Sequence, residues 1–195
     1  MRVETVKIKL YKYEELSEEA KEKVRQSFGE DHAQSETDFL EDDFVYQLEE
    51  KYPYFSDIKF QWSLSSCQGD GLSFSANIDI GKYLQKHYPK MKTSVHDTIC
   101  NVIYNLHSNG NEGRYCYASK SNIDFDTDYS GRADFPRLEK LIENIIDDIR
   151  QEYLSICKDF EKQGYNAYEN LYSDEYAKET CSSNEYEFTV DGKIY

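Results

Sequence analysis

Two runs of alternating apolar and polar residues lie on either side of a glycine-containing turn. In residues 58–66, and again in residues 72–80, every second side chain is apolar, which is the period of a strand with one buried face. The segment Gln68–Gly71 between them contains Gly-Asp-Gly, which tolerates the positive φ angles of a tight turn. The pattern therefore predicts a β-hairpin with Trp62 as a core residue.

A long apolar stripe at helical spacing occupies the C-terminal half of the chain. Its members recur every three or four residues: Leu138, Leu141, Ile142, Ile145, Ile146, Ile149, Tyr153, Ile156 and Phe160. Pro136 suits the first turn of a helix and Asp134 suits its cap, so we expect a long helix to begin there. Gly164 is expected to interrupt this helix, and a shorter one is expected to follow as far as Thr180.

The N-terminal region carries signals for a strand and two helices. Residues 3–12 alternate like a half-buried strand. Ser17 is placed to cap a helix over residues 17–28, and Gly29 is expected to end it. A second helix over residues 37–51 is expected to begin with a Thr cap and to end before Tyr-Pro.

The middle of the chain is less uniform. Residues 81–92 indicate a short helix and a loop, and residues 95–107 fit either a helix or a strand. A turn at 109–113 followed by alternation over 115–125 favours a second hairpin, and residues 186–192 indicate a final strand and turn.

Together these elements predict one α+β domain over residues 1–195. We expect an antiparallel sheet of four to five strands, with helices packed mainly on one of its faces. The long helix of the C-terminal half is expected to cover the face that carries Trp62 and Phe74.

The negative charge of the chain is concentrated in two blocks. The net charge is −15, of which residues 30–57 contribute −9 and residues 134–195 contribute −8, while the rest is nearly balanced. Phosphate binding and attraction to anionic membranes both need a basic surface, so neither nucleic acid nor a membrane is expected as a direct ligand. A basic protein partner is favoured, including one that itself binds nucleic acid. The alternative is that acidic helices only keep the protein soluble.

The candidate partner-binding residues are the carboxylates on the outward faces of the two acidic helical regions. They are Asp38, Glu41, Asp42, Asp43, Glu49, Glu50, Asp147 and Asp148. Eighteen tyrosines add a second signal, because Tyr is enriched at protein interfaces. The simpler explanation of the tyrosines is amphipathic packing.

Cysteine usage and apolar runs bear on location. The five cysteines are odd in number and lack Cys-x-x-Cys spacing, so a reducing cytoplasm is expected. The chain has no apolar run near 18 residues, and its first residues lack the apolar core of a signal peptide.

Three acidic residues alternate as Asp124, Asp126 and Asp128, a pattern that can wrap a hard cation. An EF-hand loop would need Gly and Glu where the chain has Tyr129 and Phe135, so that match fails. A looser Ca²⁺ or Mg²⁺ site and a solvated strand edge both stay open. Residues 68–71 are similarly open to a functional loop or a plain turn.

Catalytic signals are weak. The four histidines have no metal-ligand spacing, and a nucleophilic pair of Cys67 or Cys116 with His107 rests only on chance proximity. The sequence therefore predicts no catalytic residue, no metal and no cofactor, and it leaves the oligomeric state open.

Three segments resemble small proteins of phages and mobile elements. They are YKYEELSEEAKEK at 11–23, SLSSCQGDGLSF at 63–74 and FTVDG at 188–192. Proteins of this kind, often labelled as phage proteins or as toxin–antitoxin stability antitoxins, pair an "LSEEAKEK" entry with an "SQGDG-x-x-F" hairpin. This chain departs from them at Cys67 and by an acidic insert over residues 30–57.

The resemblance implies a phage or prophage setting, where small acidic inhibitors of host defence are common. It carries no catalytic residue over to this chain. The favoured hypothesis is an acidic inhibitor, such as an anti-CRISPR or anti-restriction protein, that presents carboxylates where a nuclease expects DNA phosphates. The alternatives are an antitoxin for a co-encoded toxin and an enzyme that depends on a divalent metal at the three alternating aspartates.

Overall fold

The computed structural model describes residues 7–64, 67–110, 116–130 and 135–195. These residues adopt the predicted α+β fold, with one antiparallel sheet and helices that pack mainly on one of its faces. They form two compact units, Met1–Leu40 with Gly164–Tyr195 and Glu41–Gln163. The helices are α1 (Glu18–Lys51), α2 (Ile80–His87), α3 (Thr93–Val102), α4 (Phe135–Leu171) and α5 (Asp174–Ser183).

The sheet lies in the second unit and has four strands in sequence order. They are β1 (Phe55–Ser63), β2 (Gly71–Ile78), β3 (Ile103–Asn109) and β4 (Ile123–Thr127). Each strand is antiparallel to the next, with Phe60 opposite Phe74 and His107 opposite Asp124. Both predicted hairpins, β1–β2 and β3–β4, are therefore confirmed, although β4 begins later than the alternation suggested.

Asp70 organises the turn of the first hairpin. Its Oδ1 accepts a hydrogen bond from the Ser63 hydroxyl at 2.8 Å, and its Oδ2 accepts one from the Cys67 amide at 2.8 Å. Gly69 has φ 110°, a conformation that L side chains avoid. The Gln68–Gly71 segment therefore has the geometry of a plain hairpin turn, which is the simpler of its two interpretations.

Helix α4 covers the apolar face of the sheet, as predicted. Its stripe is buried from Ile142 to Phe160, and the Phe74 ring of β2 lies 4.6 Å from the Tyr153 ring. The Tyr153 hydroxyl accepts a hydrogen bond from the Phe74 amide at 3.0 Å and donates one to the Phe74 carbonyl at 2.8 Å. Trp62 is half-buried, and its ring centre lies 5.7 Å from that of Phe44 with 68° between the ring planes, so it belongs to the border of this core.

Residues 95–107 contain both of the structures that their pattern allowed. Helix α3 occupies the first part as far as Val102, and strand β3 begins at the next residue. The short helix predicted near 81–92 is α2, whose N-terminus is capped by Asp79, since its Oδ1 accepts a hydrogen bond from the Lys82 amide at 3.0 Å.

The prediction of two helices between residues 17 and 51 is wrong, because α1 is continuous. Gly29 sits where an added Cβ would lie 2.2 Å from the Tyr172 ring, so the glycine serves close packing instead of ending the helix. Thr37 is not a cap, because its hydroxyl donates to the Ala33 carbonyl at 2.8 Å within the helix. Ser17 is confirmed as the N-cap, accepting from the Ala20 amide at 3.3 Å.

Continuity also changes the description of the acidic segment 30–57. From residue 30 to Lys51 it is the larger part of α1, and it then leads into β1. The helix ends before Pro53, as expected from the restriction that proline places on the preceding residue.

The first unit has its own core, formed by η1 (Tyr13–Glu15), α1, α5 and the chain near Phe188. The predicted strand over residues 3–12 is not formed in its described part, where Tyr11 makes an isolated bridge to Phe188 and Ile8 is half-exposed. The final segment likewise makes isolated bridges around Phe188, with a turn at Gly192. Residues 1–6 lie outside the described part.

Helix α4 runs through Gly164 and ends at Leu171, which corrects the predicted interruption. Gly164 is buried within the helix. Packing there outweighs the cost to helix stability of a glycine, which is about 1 kcal/mol relative to Ala. The shorter helix then follows as α5, capped by Ser173, whose hydroxyl accepts from the Tyr176 amide at 3.1 Å. Pro136 lies in the first turn of α4 as predicted, and the expected cap Asp134 lies outside the described residues.

Candidate functional site

All eight predicted binding carboxylates are exposed, but they do not form one cluster. Asp38 belongs to the first unit and the other seven belong to the second. In the second unit, five lie on α1 and two on α4: Glu41, Asp42, Asp43, Glu49 and Glu50, then Asp147 and Asp148.

The part of α1 in the second unit has two opposed faces. Phe44 and Leu48 are fully buried, and the Phe44 ring stacks on Phe160 of α4 with ring centres 4.5 Å apart. At 100° per residue, position 46 points almost directly away from positions 44 and 48. Tyr46 is accordingly 61% exposed.

Four of the carboxylates surround Tyr46 on the helix surface. Asp42 and Asp43 lie four and three residues before it, and Glu49 and Glu50 lie three and four residues after it. Side chains at these spacings are neighbours on one face of a helix. We call Asp42, Asp43, Tyr46, Glu49 and Glu50 the acidic face. The sequence analysis missed Tyr46, although its place opposite the apolar stripe could have revealed it.

The charges of the acidic face are not neutralised within the helix. Between Gln26 and Glu50 the chain contains no Lys or Arg. Among the described residues, none of the four carboxylates forms an ion pair, and Asp43 accepts only from the neutral Gln47 amide at 2.7 Å. The start of α1 differs, since Lys21 pairs with Glu18 at 3.0 Å there. Within the described residues, no cation therefore lies in an ion pair with the acidic face.

The two candidate carboxylates on α4, Asp147 and Asp148, are less available to a partner than those of the acidic face. Asp148 accepts a hydrogen bond from the Tyr88 hydroxyl, and Arg150 follows two residues later on the same helix. Burial and Asp148 together raise the pKa of Tyr88 to about 12, so this phenol stays protonated and keeps donating. Of the two carboxylates, Asp147 is the one more open to a partner.

A second polar cluster joins α2 to α4 beside the sheet. The Tyr54 hydroxyl donates to Glu152 Oε2 at 2.5 Å, and His87 Nε2 lies 3.5 Å from the same oxygen. The His87 ring stacks on Tyr83 with centres 4.4 Å apart. Burial, reinforced by Glu152, raises the pKa of Tyr54, so its proton is held at neutral pH. The cluster connects α2 to α4 and has a structural role. Sequence patterns could not reveal it, because its members are far apart in the chain.

The structure brings one thiol and one imidazole together on α3. Cys100 Sγ lies 3.9 Å from His96 Nδ1, one helical turn away. Burial raises the pKa of Cys100, and the charges of Asp97 and Asp79 add to the effect. A nucleophilic cysteine needs a lowered pKa, so this pair is poorly suited to catalysis. The pair considered from sequence used His107, whose Nδ1 instead donates to the Asn105 carbonyl at 2.7 Å.

The three alternating aspartates are engaged with other groups. Asp126 accepts from the Asn105 side-chain amide at 2.9 Å, Asp124 accepts from the Asn109 amide, and Asp128 accepts from the Ser130 backbone amide at 2.8 Å. Within the described residues, no group of three or more His, Cys, Asp or Glu side chains is arranged to hold a metal ion. The geometry gives the Ca²⁺ or Mg²⁺ hypothesis no support.

Comparison with known proteins adds no relative. The chain matches no protein-family model, no curated protein and no solved structure. Across the residues that the structure describes, no helix combines the length and the apolar character needed to cross a bilayer.

Proposed function

We propose that this protein is a phage-type acidic inhibitor that acts by binding and not by catalysis. Its partner is a basic, nucleic-acid-binding protein of host defence, such as a CRISPR or restriction nuclease, in the host cytoplasm. The observation that carries the proposal is the acidic face of α1, where four carboxylates that form no ion pair with any described residue surround the exposed Tyr46.

The charge density of this helix supports a role as a substitute for DNA. Residues 41–50 hold five carboxylates. At about 1.5 Å of rise per residue they extend over roughly 15 Å, which is about one negative charge per 3 Å. One strand of B-DNA carries one charge per about 3.4 Å. A channel built to bind a phosphate backbone therefore meets a similar linear charge on α1.

The exposure of Tyr46 supports a binding face over a merely solubilising one. An exposed aromatic ring adds nothing to solubility, whereas Tyr and Arg are prominent among the residues that dominate binding energy at interfaces. An arginine of a basic partner can stack on the ring while its guanidinium meets the neighbouring carboxylates. Long-range attraction between opposite charges would also speed association.

The test compares two variants of equal net charge. The face variant carries Asp42→Asn, Asp43→Asn, Glu49→Gln and Glu50→Gln, and the control neutralises four other exposed carboxylates: Glu139, Glu143, Glu175 and Glu179. Each is expressed in a bacterial host that carries a restriction or CRISPR system, and phage plating efficiency is measured. Wild type and control should restore plating, and the face variant should not.

Direct binding is then measured by capture of the defence nuclease at low and high salt. If each exposed charge pair contributes about 0.2–1 kcal/mol, four pairs give about 1–4 kcal/mol, or roughly a 4- to 1,000-fold weaker complex for the face variant. Binding that ignores both salt and the face variant would remove the proposal. Capture of a co-encoded toxin in place of a nuclease would assign the antitoxin function.

A further inference from the structure

A groove in the first unit lies between α1 and residues 187–195, which we call the closing hairpin. It has a volume of about 520 Å³, and its wall includes Val24, Phe28, Phe188 and Ile194. The first three of these side chains are buried and form an apolar floor. Open cavities of this size with an apolar lining are common binding sites.

The backbone of Ile194 is turned outward from the closing hairpin. The Thr189 amide donates to the Lys193 carbonyl at 2.9 Å. The Tyr195 amide donates to the Glu187 carbonyl, also at 2.9 Å. In an antiparallel pair the N–H and C=O groups of successive residues point to opposite sides, so those of Ile194 point outward. Among the described residues, neither group of Ile194 has a hydrogen-bond partner. The hairpin therefore presents a free donor and a free acceptor at one edge.

The side chains along this edge lie on two faces. Phe188 and Ile194 are opposite each other in the hairpin, so both project to the same side. That side faces α1, because Phe188 is buried in the core that includes Val24. Lys193 and Tyr195 alternate to the other side and are 82% and 72% exposed. A strand added at the edge would thus meet an apolar groove on one face and a lysine beside a tyrosine on the other.

We propose that this edge binds an extended peptide segment of a partner protein, which adds to the closing hairpin as an antiparallel strand. A peptide backbone supplies both the acceptor and the donor that the outward groups of Ile194 need. The peptide residue opposite Ile194 places an apolar side chain in the groove, and the next residue, opposite Lys193, carries a carboxylate. Lys193 already lies 3.7 Å from Asp191, but exposed ion pairs of this kind are weak and exchange partners readily.

A second copy of the chain fits this edge less well. Pairing two copies about Ile194 would place each Lys193 opposite a Tyr195 and not opposite an acid. It would also bring together two chains that each carry a net charge of −15. The site is independent of the acidic face, because every residue that carries it belongs to the first unit.

The test is an NMR titration of the ¹⁵N-labelled full chain with two short peptides. Acetyl-Thr-Val-Val-Glu-Thr-amide places its second Val opposite Ile194 and its Glu opposite Lys193, and the control peptide carries Lys in place of Glu. The acidic peptide should shift the Ile194 amide resonance in a saturable manner and slow its hydrogen exchange. The control peptide should bind at least about threefold more weakly, because it places like charges opposite each other.

Variants separate backbone pairing from general attraction, with binding followed by the anisotropy of a labelled acidic peptide. Ile194→Pro removes the outward N–H and leaves both hairpin bonds, and proline is tolerated where a strand N–H faces solvent. It should weaken binding at least about tenfold, whereas the control Ile194→Val keeps the amide and should not. Lys193→Gln should weaken binding about two- to fivefold. Lys82→Gln is its matched control, because Lys82 is also exposed and lies 3.7 Å from an aspartate.

Three outcomes would overturn the proposal. They are the absence of saturable binding, equal binding of the two peptides, and binding that survives Ile194→Pro. A dimer that forms with rising concentration and is lost in Ile194→Pro, with no peptide bound, would assign the edge to a second copy instead. Analytical ultracentrifugation of the wild type and of this variant measures that alternative.

Discussion

The hydroxyl of Tyr153 takes the place of a missing strand partner, and removing it tests how the sheet is completed. Strand β3 pairs with β2 only as far as Ser75 opposite Asn109, so it does not reach Phe74. The Tyr153 hydroxyl bonds both the amide and the carbonyl of Phe74, and it does so in a fully buried setting. Burial raises the pKa of Tyr153, which keeps the hydroxyl protonated and able to donate.

Tyr153→Phe should destabilise the second unit by about 1–3 kcal/mol. The substitution leaves no cavity, because only the oxygen is lost. The Phe74 carbonyl keeps the Ser108 hydroxyl as a donor at 3.1 Å, so the cost is that of one buried amide left without a partner. Tyr83→Phe is the control, since Tyr83 is equally buried and, in the described structure, its hydroxyl makes no hydrogen bond.

Urea unfolding followed by the fluorescence of Trp62, the single tryptophan of the chain, measures both variants. Hydrogen exchange of the Phe74 amide gives a local readout, and its protection should fall in Tyr153→Phe alone. If the two variants differ by less than about 0.5 kcal/mol, or if Phe74 keeps its protection, the hydroxyl does not complete the sheet and the reasoning is refuted.

Three further predictions concern packing and ionisation. Replacing a helical Gly by Ala usually raises the free energy of unfolding by about 1 kcal/mol, but Gly29→Ala should not, because the new Cβ meets the Tyr172 ring. In a Tyr172→Ala background the same substitution should recover that gain in stability. A double-mutant cycle measured by thermal unfolding that shows no coupling would contradict this. Burial raises the pKa of Tyr13 to about 12, so the unfolded chain loses this proton first and stability should fall between about pH 10 and pH 12. Tyr13→Phe should flatten that fall in urea titrations, and an unchanged slope would refute it. A thiol reagent should modify exposed Cys67 in the folded protein but reach buried Cys157, whose pKa burial raises to about 12, only on unfolding; equal rates would contradict the burial.

Local periodicity was enough to predict strands β1 and β2 and the long helix α4, whereas it left residues 95–107 open between helix and strand and began the last strand of the second hairpin too early. The period of the apolar residues in a strand or a helix depends only on residues that are close in sequence. Each of these elements buries its apolar face against the same core. The exposure of the predicted acidic residues followed in the same way, because charged side chains are seldom buried without a partner. The strong negative charge is a property of the composition and needs no structure.

Tertiary contacts decided what lies between those elements. From the neighbouring sequence, Gly29 is expected to end a helix and Thr37 to cap the next one. In the structure α1 is continuous, because Gly29 packs against Tyr172 and the Thr37 hydroxyl forms a hydrogen bond within the helix. Helix-ending signals are worth about 1 kcal/mol each, so a few long-range contacts outweigh them. The strand predicted over residues 3–12 is not formed in its described part, where Tyr11 makes only an isolated bridge to Phe188.

The sequence by itself determined an acidic α+β protein with an antiparallel sheet and a long covering helix. Only the tertiary structure decided which carboxylates around Tyr46 form no ion pair with the described residues, and that Asp126 is held by the side-chain amide of Asn105. The physical reason is the distance along the chain between the residues that determine each property. Period and charge are sums over neighbouring residues, whereas pairing, burial and cavity shape depend on side chains that the fold brings together from distant parts of the chain.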